Sequence, residues 1–443
     1  MKVAMISCDS HAGPRPSDFA TWLEPRYRDR IGELIAHMER IARQVWVASP
    51  DAESDKYVDT RGAIANGGLE GLSDPARRLS ELEAEGFVAE VIFPGDVNSH
   101  AIYFSNMNEC YPADYRAAGV RAYNRWLAEF CSYAPGRMLG VAQLEPWPDV
   151  GACVSEIEHV RKAGLRIIAL PRFTGLEASQ PSLMDSAWES VWRTCAAHDL
   201  IVSIHIGHQY RQGGSEKALE TANLRANGFP DKGDDGVLQF DPARRLLWQI
   251  ILSGVFDRYE DLKVTFTEIR TEWVAPMLAH LERRFDRHRF EQTGFAMPHL
   301  RPTDYWRRNC AVGGQLRPYE FRLRYQTGID QMMFGTDYPH AEGTWPNTRE
   351  WLRVSLRDVP EAEARKILGE NAARIYAIDL CAFASHIERV GPEYSELCDD
   401  APVSPALVNN LHWRAGFLGR PFVYSAEALD PLIDEDERLA ATH

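Results

Sequence analysis

Short apolar runs alternate with amphipathic stretches along most of this chain, and that alternation leaves few folds open. Strand-like runs fall at 2–8, 87–93, 138–144, 166–170, 200–205, 262–268, 308–312 and 331–336. Helix-period segments lie between them, the pattern of βα units in an α/β protein with parallel strands. Eight such strands close a (β/α)8 TIM barrel. Helix starts are locally marked. Asp74 before Pro75 is an N-cap followed by proline at the first helical position, and Gly86 ends that helix. Asp241-Pro242 repeats the device ahead of Leu246, Leu247, Ile250 and Ile251. Between Glu361 and Tyr376, Ala364, Ile367, Leu368, Ala372 and Ile375 stand at helical spacing.

Three stretches exceed a minimal barrel. Residues 12–73 and 206–240 are long βα-loop insertions that leave strand C-termini, so they are expected to roof the active site. Residues 381–443 form a C-terminal extension beyond a barrel of residues 1–380. Its Trp413, Phe417, Phe422 and Tyr424 predict packing against the barrel or a second subunit, so a homodimer is compatible with the chain.

The chain has 443 residues, 45% hydrophobic and 26% charged, enough to bury a large core. A net charge of −15 argues against nucleic-acid binding and a basic membrane-surface role. No apolar run is long enough to span a bilayer, and the N-terminus enters a strand at once without a signal-peptide pattern. A cytoplasmic location is expected. The eight cysteines are scattered without a C-x-x-C pair, as reduced and buried thiols would be. Cys8 neighbours Asp9, but a regular strand would place it on the opposite face.

Polar residues follow the apolar runs at four places where a barrel gathers its chemistry. Asp9 and His11 follow Val3–Ile6, His205 follows Leu200–Ile204, Glu268 follows Leu262–Phe266, and Asp337 follows Met332–Gly335. Asp9, His11, His205 and Asp337 together would hold one divalent ion, Zn²⁺ or Mn²⁺, since mixed imidazole and carboxylate ligation suits both. Each residue alone has a plainer reading; Asp337 in Gly-Thr-Asp-Tyr-Pro could simply initiate a turn.

With these residues placed, the chain resembles the amidohydrolase-related (amidohydrolase-2) branch of the amidohydrolase superfamily, which includes the aminocarboxymuconate-semialdehyde decarboxylase group. CDSHAGP at the start, EVIFPG at 90–95, RMLGVAQLEP at 137–146, MFGTDYPHAEG at 333–343 and ILGENAARIY at 367–376 carry the likeness. The resemblance implies a barrel holding one divalent metal, with Asp9 and His11 as strand-one ligands, His205 from strand five and Asp337 as a ligand and proton shuttle from strand eight. Many members have His-x-His on strand one, where this chain has Asp9. The decarboxylases typically carry a histidine at the end of strand six, where this chain has Glu268.

Metal-assisted hydrolysis of a small cyclic or aromatic substrate is the leading expectation, with His205, Asp337 and Glu268 as catalytic residues. Glu268 would act as acid or substrate anchor, or else hold a ligand imidazole. The alternative is nonoxidative decarboxylation of an aromatic or unsaturated carboxylic acid. A carboxylate substrate would need a cationic clamp, for which Arg172 and Arg270 are candidates, although a structural salt bridge is the commoner role for either. His100, His208, His340 and Trp273 are further candidate substrate contacts, and Trp273, Tyr210, Trp345 and Phe104 would give an aromatic pocket if they face inward. The partner implied is a small molecule. A serine-hydrolase elbow, a dinucleotide fingerprint and a P-loop are all missing from the sequence.

Overall fold

A computed structural model describes residues 2–36, 58–95, 111–144, 150–170, 183–206, 244–291, 297–340, 343–414 and 434. Nine strands carry eight staves of a parallel barrel: β1 (Met5–Ser7), β2 (His11–Ala12), β3 (Phe87–Pro94), β4 (Met138–Gln143), β5 (Ile167–Ala169), β6 (Ile201–His205), β7 (Lys263–Thr267), β8 (Cys310–Gly314) and β9 (Met332–Phe334). Neighbours pair in parallel in the order β1-β3-β4-β5-β6-β7-β8-β9, and β2 continues the first stave beside β3. The ring is completed where Cys8 N–H donates to Phe334 O (2.9 Å) and Ser10 bridges Tyr338 in parallel. The expected (β/α)8 TIM barrel is the fold observed.

Side chains alternate along each stave with period two. Val202, Ile204, Val264, Phe266, Val312 and Met332 belong to the layer packed under the helices. Ile6, Val141, Ile167, Ala311 and Met333 form a separate interior cluster, which residues 372–378 join. The helix start at Pro75–Ala84 is as expected, with the Asp74 carboxylate accepting from Ala76 N and Arg77 N. Residues 361–375 are helical with one π-type turn at Lys366–Glu370. The seventh stave begins two residues later than the apolar run suggests. Asn309 ends the helix Pro302–Asn309 instead, its side-chain amide donating to the carbonyls of Glu260 and Leu262 (2.8 Å each).

The first stave departs from its regular phase. Ser7 pairs with Glu90 and His11 with Phe93, so residues 8–10 stand against only 91 and 92. This bulge reverses the alternation expected there. Cys8 faces the barrel interior with Ile6, and the extra residue turns Asp9 and His11 to the mouth as well. Of the two insertions, 206–240 lies almost wholly outside the described residues. The described part of 12–73 holds 3₁₀ turns and a helical stretch at 31–36, and Gly68–Leu72 packs beside Tyr338, whose hydroxyl donates to Gly68 O (2.6 Å). From the C-terminal segment, Pro392 O accepts from Val3 N (2.7 Å) and His412 meets the Trp351 ring edge-on (4.9 Å). Among the described residues no helix is long and apolar enough to cross a membrane.

Candidate metal centre

Two imidazoles define the centre. His11 Nδ1 lies 2.6 Å from Pro94 O, and His205 Nδ1 lies 2.6 Å from Ile206 O. A carbonyl oxygen only accepts, so both Nδ1 atoms carry the hydrogen, and in its neutral form each imidazole presents a lone pair at Nε2. Those lone pairs point at carboxylates. His11 Nε2 is 3.2 Å from Asp337 Oδ1 and 3.6 Å from Asp9 Oδ1. His205 Nε2 is 3.4 Å from Asp9 Oδ1 and 3.4 Å from Glu268 Oε2. Lone pair against lone pair is repulsive, and a proton or a cation must lie between. Burial, then the neighbouring His340, hold the His11 pKa below its ordinary value, so a proton is disfavoured there.

The buried atoms Asp9 Oδ2, His11 Nε2 and Asp337 Oδ1 make no hydrogen bond, which is costly unless a ligand takes them up. Donor atoms of Asp9, His11, His205 and Glu268 all lie within 4.8 Å of one another, as do those of His11, Asp337 and His340. The residues present therefore fit one divalent ion held by nitrogen and oxygen, with the histidine Nδ1–H groups fixed by carbonyls as metal-binding imidazoles require. Cys8 is no competitor, because burial, with Asp9 adding to it, pushes its thiol pKa well up.

Two of the acidic residues sit on left-handed backbone, a conformation that non-glycine residues adopt at a cost: Glu268 at φ 58° and Asp337 at φ 58°. Asp337 N–H donates to Asp9 O (2.9 Å), locking the ends of the first and last staves together. Asp337 Oδ1 is also 3.0 Å from His340 Nδ1, and the His340 ring stacks on His11 at 3.9 Å. Burial alone would raise the Asp337 pKa, but His340 and His11 outweigh it and hold the carboxyl below its usual range. Close approach fixes the residues around it: a Cβ on Gly335 would come within 2.5 Å of Asp9 Cβ.

Beside the donors runs a crevice lined by Glu268, Arg270, Gly313, Gly314, Gln315, Leu316 and Glu320. Arg270 thus lines the same crevice as Glu268. Trp273 does not reach the crevice. It is fully buried against Phe266 and Trp306, and its indole N–H donates to Arg270 O (2.8 Å), bracing the left-handed turn at Arg270 (φ 65°). Trp345 is buried beside Tyr338. His100, Arg172 and His208, like Tyr210 and Phe104, lie outside the described residues.

Gln315 was not singled out from the sequence. Its Nε2 donates to Asp337 Oδ2 (3.4 Å) while Arg317 donates to its Oε1 (3.1 Å), which fixes the amide orientation. The signal was the run Gly313-Gly314-Gln315, a polar residue directly after a glycine pair at a strand end. The apolar run at 308–312 placed that strand end too early.

Behind the crevice, burial first and the Glu320 charge second raise the Glu272 pKa to about 7. In the unfolded chain a glutamate titrates near ~4.3. Between that value and about 7 the folded protein holds a proton that the unfolded chain has lost, so stability falls as pH rises through this window. Glu272→Gln is expected to gain stability over wild type progressively from pH 5 to pH 8 in denaturant titrations. A gain or loss independent of pH would contradict the assignment.

The Amidohydrolase family model matches residues 74–378. No curated protein matches the chain. Among solved structures, 5-carboxyvanillate decarboxylase LigW from Sphingomonas paucimobilis is similar at 20% identity and a TM-score of 0.57, covering 85% of this chain and 100% of its own. An amidohydrolase from Mycobacterium avium subsp. paratuberculosis K-10 is similar at 18% identity and a TM-score of 0.61, with coverages of 85% and 99%. A dihydroxybenzoic acid decarboxylase from Polaromonas sp. JS666 with bound manganese shows 16% identity and a TM-score of 0.56, with coverages of 85% and 97%. At such identities these structures share the fold. The family model, matching more than half of the chain, including the staves that carry His205, Glu268 and Asp337, establishes that this protein belongs to the amidohydrolase family.

Proposed function

We propose that this protein is a divalent-metal-dependent, nonoxidative decarboxylase of a small aromatic carboxylic acid, with Mn²⁺ as its ion. The observation that carries the reading is the pair of imidazoles whose Nε2 atoms face Asp9, Asp337 and Glu268, with Arg270 lining the crevice that opens at Glu268. Asp9, His11, His205 and Asp337 are the residues that would hold the ion. A cation next to an electrophilic site suits an anionic substrate, because guanidinium binds carboxylate in a bidentate manner. The decarboxylases among the structural relatives support this chemistry over the hydrolysis expected from the sequence.

When bound, the ion supplies Lewis acidity that holds and polarises substrate oxygens. Arg270 orients the carboxylate. The bond between ring carbon and carboxylate breaks, its electron pair stays on the ring carbon, and carbon dioxide leaves. Asp337, held ionised at rest, relays to that carbon a proton taken from His340. His340, 3.0 Å from Asp337 Oδ1 and 15% exposed, connects Asp337 to solvent and returns the proton.

Hydrolysis remains a second reading, favoured by Glu268, a carboxylate where the related decarboxylases typically carry histidine. The Mn²⁺-loaded protein is expected to release carbon dioxide from at least one hydroxylated benzoic acid in a panel. Turnover of cyclic amides or lactones in the same preparation, with no carbon dioxide from any acid, would overturn the proposal in favour of hydrolysis.

A further inference from the structure

We infer that Glu268 is itself a ligand of the ion, a third carboxylate beside Asp9 and Asp337, and that it biases the site towards Mn²⁺ over Zn²⁺. The inference rests on the metal centre proposed above.

The first observation is backbone phase. Along β7, Val264 and Phe266 face the helix layer while Thr265 meets Ser203 across the stave (3.0 Å). Regular alternation would send Glu268 outward with Phe266. The left-handed residue at 268 breaks the alternation and returns the carboxylate to the mouth. The neighbouring stave is built to accept that turn. Glu268 N–H donates to Gly313 O (2.8 Å), and a Cβ on Gly314 would stand 3.2 Å from Glu268 Cα. Strain of this kind persists only where surrounding structure over-determines it.

The second observation is which nitrogen Glu268 faces. A carboxylate that merely orients a ligand histidine binds the ring nitrogen remote from the ion. On His205 that remote position, Nδ1, is already taken by Ile206 O. Glu268 Oε2 lies instead 3.4 Å from Nε2, the same separation as Asp9 Oδ1 from that atom. Neighbouring donors on one ion bound at ~2.1 Å stand about 3 Å apart, a spacing that small side-chain rotations reach from here.

With Glu268 included, oxygen donors outnumber nitrogen donors. Carboxylate-rich sites suit Mn²⁺, whereas imidazole suits Zn²⁺. Removing Glu268 should therefore cost Mn²⁺ more than Zn²⁺.

The test is calorimetric titration of the metal-free full-length protein with Mn²⁺ and, separately, Zn²⁺. Wild type is compared with Glu268→Gln and Glu268→Asn. Asparagine tolerates left-handed backbone, so the second variant keeps the fold even if the first is strained. Wild type is expected to bind one ion per chain, and both variants to bind Mn²⁺ at least about tenfold more weakly, with a smaller loss for Zn²⁺. Unchanged Mn²⁺ affinity in a folded variant overturns the ligand role and leaves the metal centre intact. Equal losses for the two ions overturn the selectivity. Wild type that takes up neither ion overturns the metal centre and this inference together.

Discussion

Asp337→Asn is expected to lower kcat by about a hundredfold to ten-thousandfold at saturating metal, the span that a positioned general acid contributes. The substitution is close to isosteric. Asparagine tolerates the left-handed φ of 58° at this position, so the fold should survive. What is lost is charge and the ability to carry a proton. Oδ1 faces His11 Nε2 at 3.2 Å and His340 Nδ1 at 3.0 Å, and a neutral amide can neither complete the donor set nor pass a proton from His340 to substrate. Mn²⁺ affinity should fall as well, and kinetics at several metal concentrations separate the two effects. More than a tenth of the wild-type kcat at saturating Mn²⁺ would exclude Asp337 as the proton donor.

Arg78→Met should destabilise the protein by about 3–5 kcal/mol, because it leaves Glu90 buried without its partner. Both side chains are fully enclosed. Arg78 donates twice to Glu90, from Nε to Oε1 (2.6 Å) and from Nη2 to Oε2 (2.9 Å). Its remaining donors hold the bulged first stave, reaching His11 O (2.7 Å) and Ser10 Oγ (2.8 Å). One guanidinium therefore ties the helix Pro75–Ala84 and β3 to the main chain of His11 at the candidate metal centre. Adding Glu90→Leu should recover much of the stability, since an apolar pair removes the buried charge. Metal affinity should stay low in the double variant, because nothing then anchors the His11 carbonyl. Denaturant titration and metal binding read the two roles separately, and a loss below about 1 kcal/mol in the single variant would dismiss the network as a structural element.

The staves were legible because apolar runs of strand length, punctuated by capped helices, carry their own signal. The run Val88–Phe93 and the cap at Asp74 needed no tertiary information. The positions of Asp9, His11, His205 and Asp337 just beyond those runs were legible for the same reason. Trp273 shows where such reading stops. Its place near a strand end fits a pocket wall and a core residue equally, and only the packing of Phe266 and Trp306 against it puts it in the core. The Arg78–Glu90 fork and the Gln315 contact to Asp337 join residues whose partners no local pattern specifies.

By itself the sequence determined the parallel barrel, the staves that bear the ionisable residues and the mixed imidazole–carboxylate character of the site, because periodicity and residue type are local properties. Tertiary structure decided which way those residues point. Regular period-two alternation would turn Asp9 away from Cys8's face and send Glu268 outward with Phe266. A bulge at residues 8–10 and a left-handed residue at 268 bring both carboxylates to the mouth. Neither irregularity is favoured by its own residue type. Each is held by its surroundings, the bulge by Arg78 of the helix Pro75–Ala84 and by Val91 O of β3, which accepts from Ser10 Oγ, and the turn at 268 by Gly313 and Gly314 of β8.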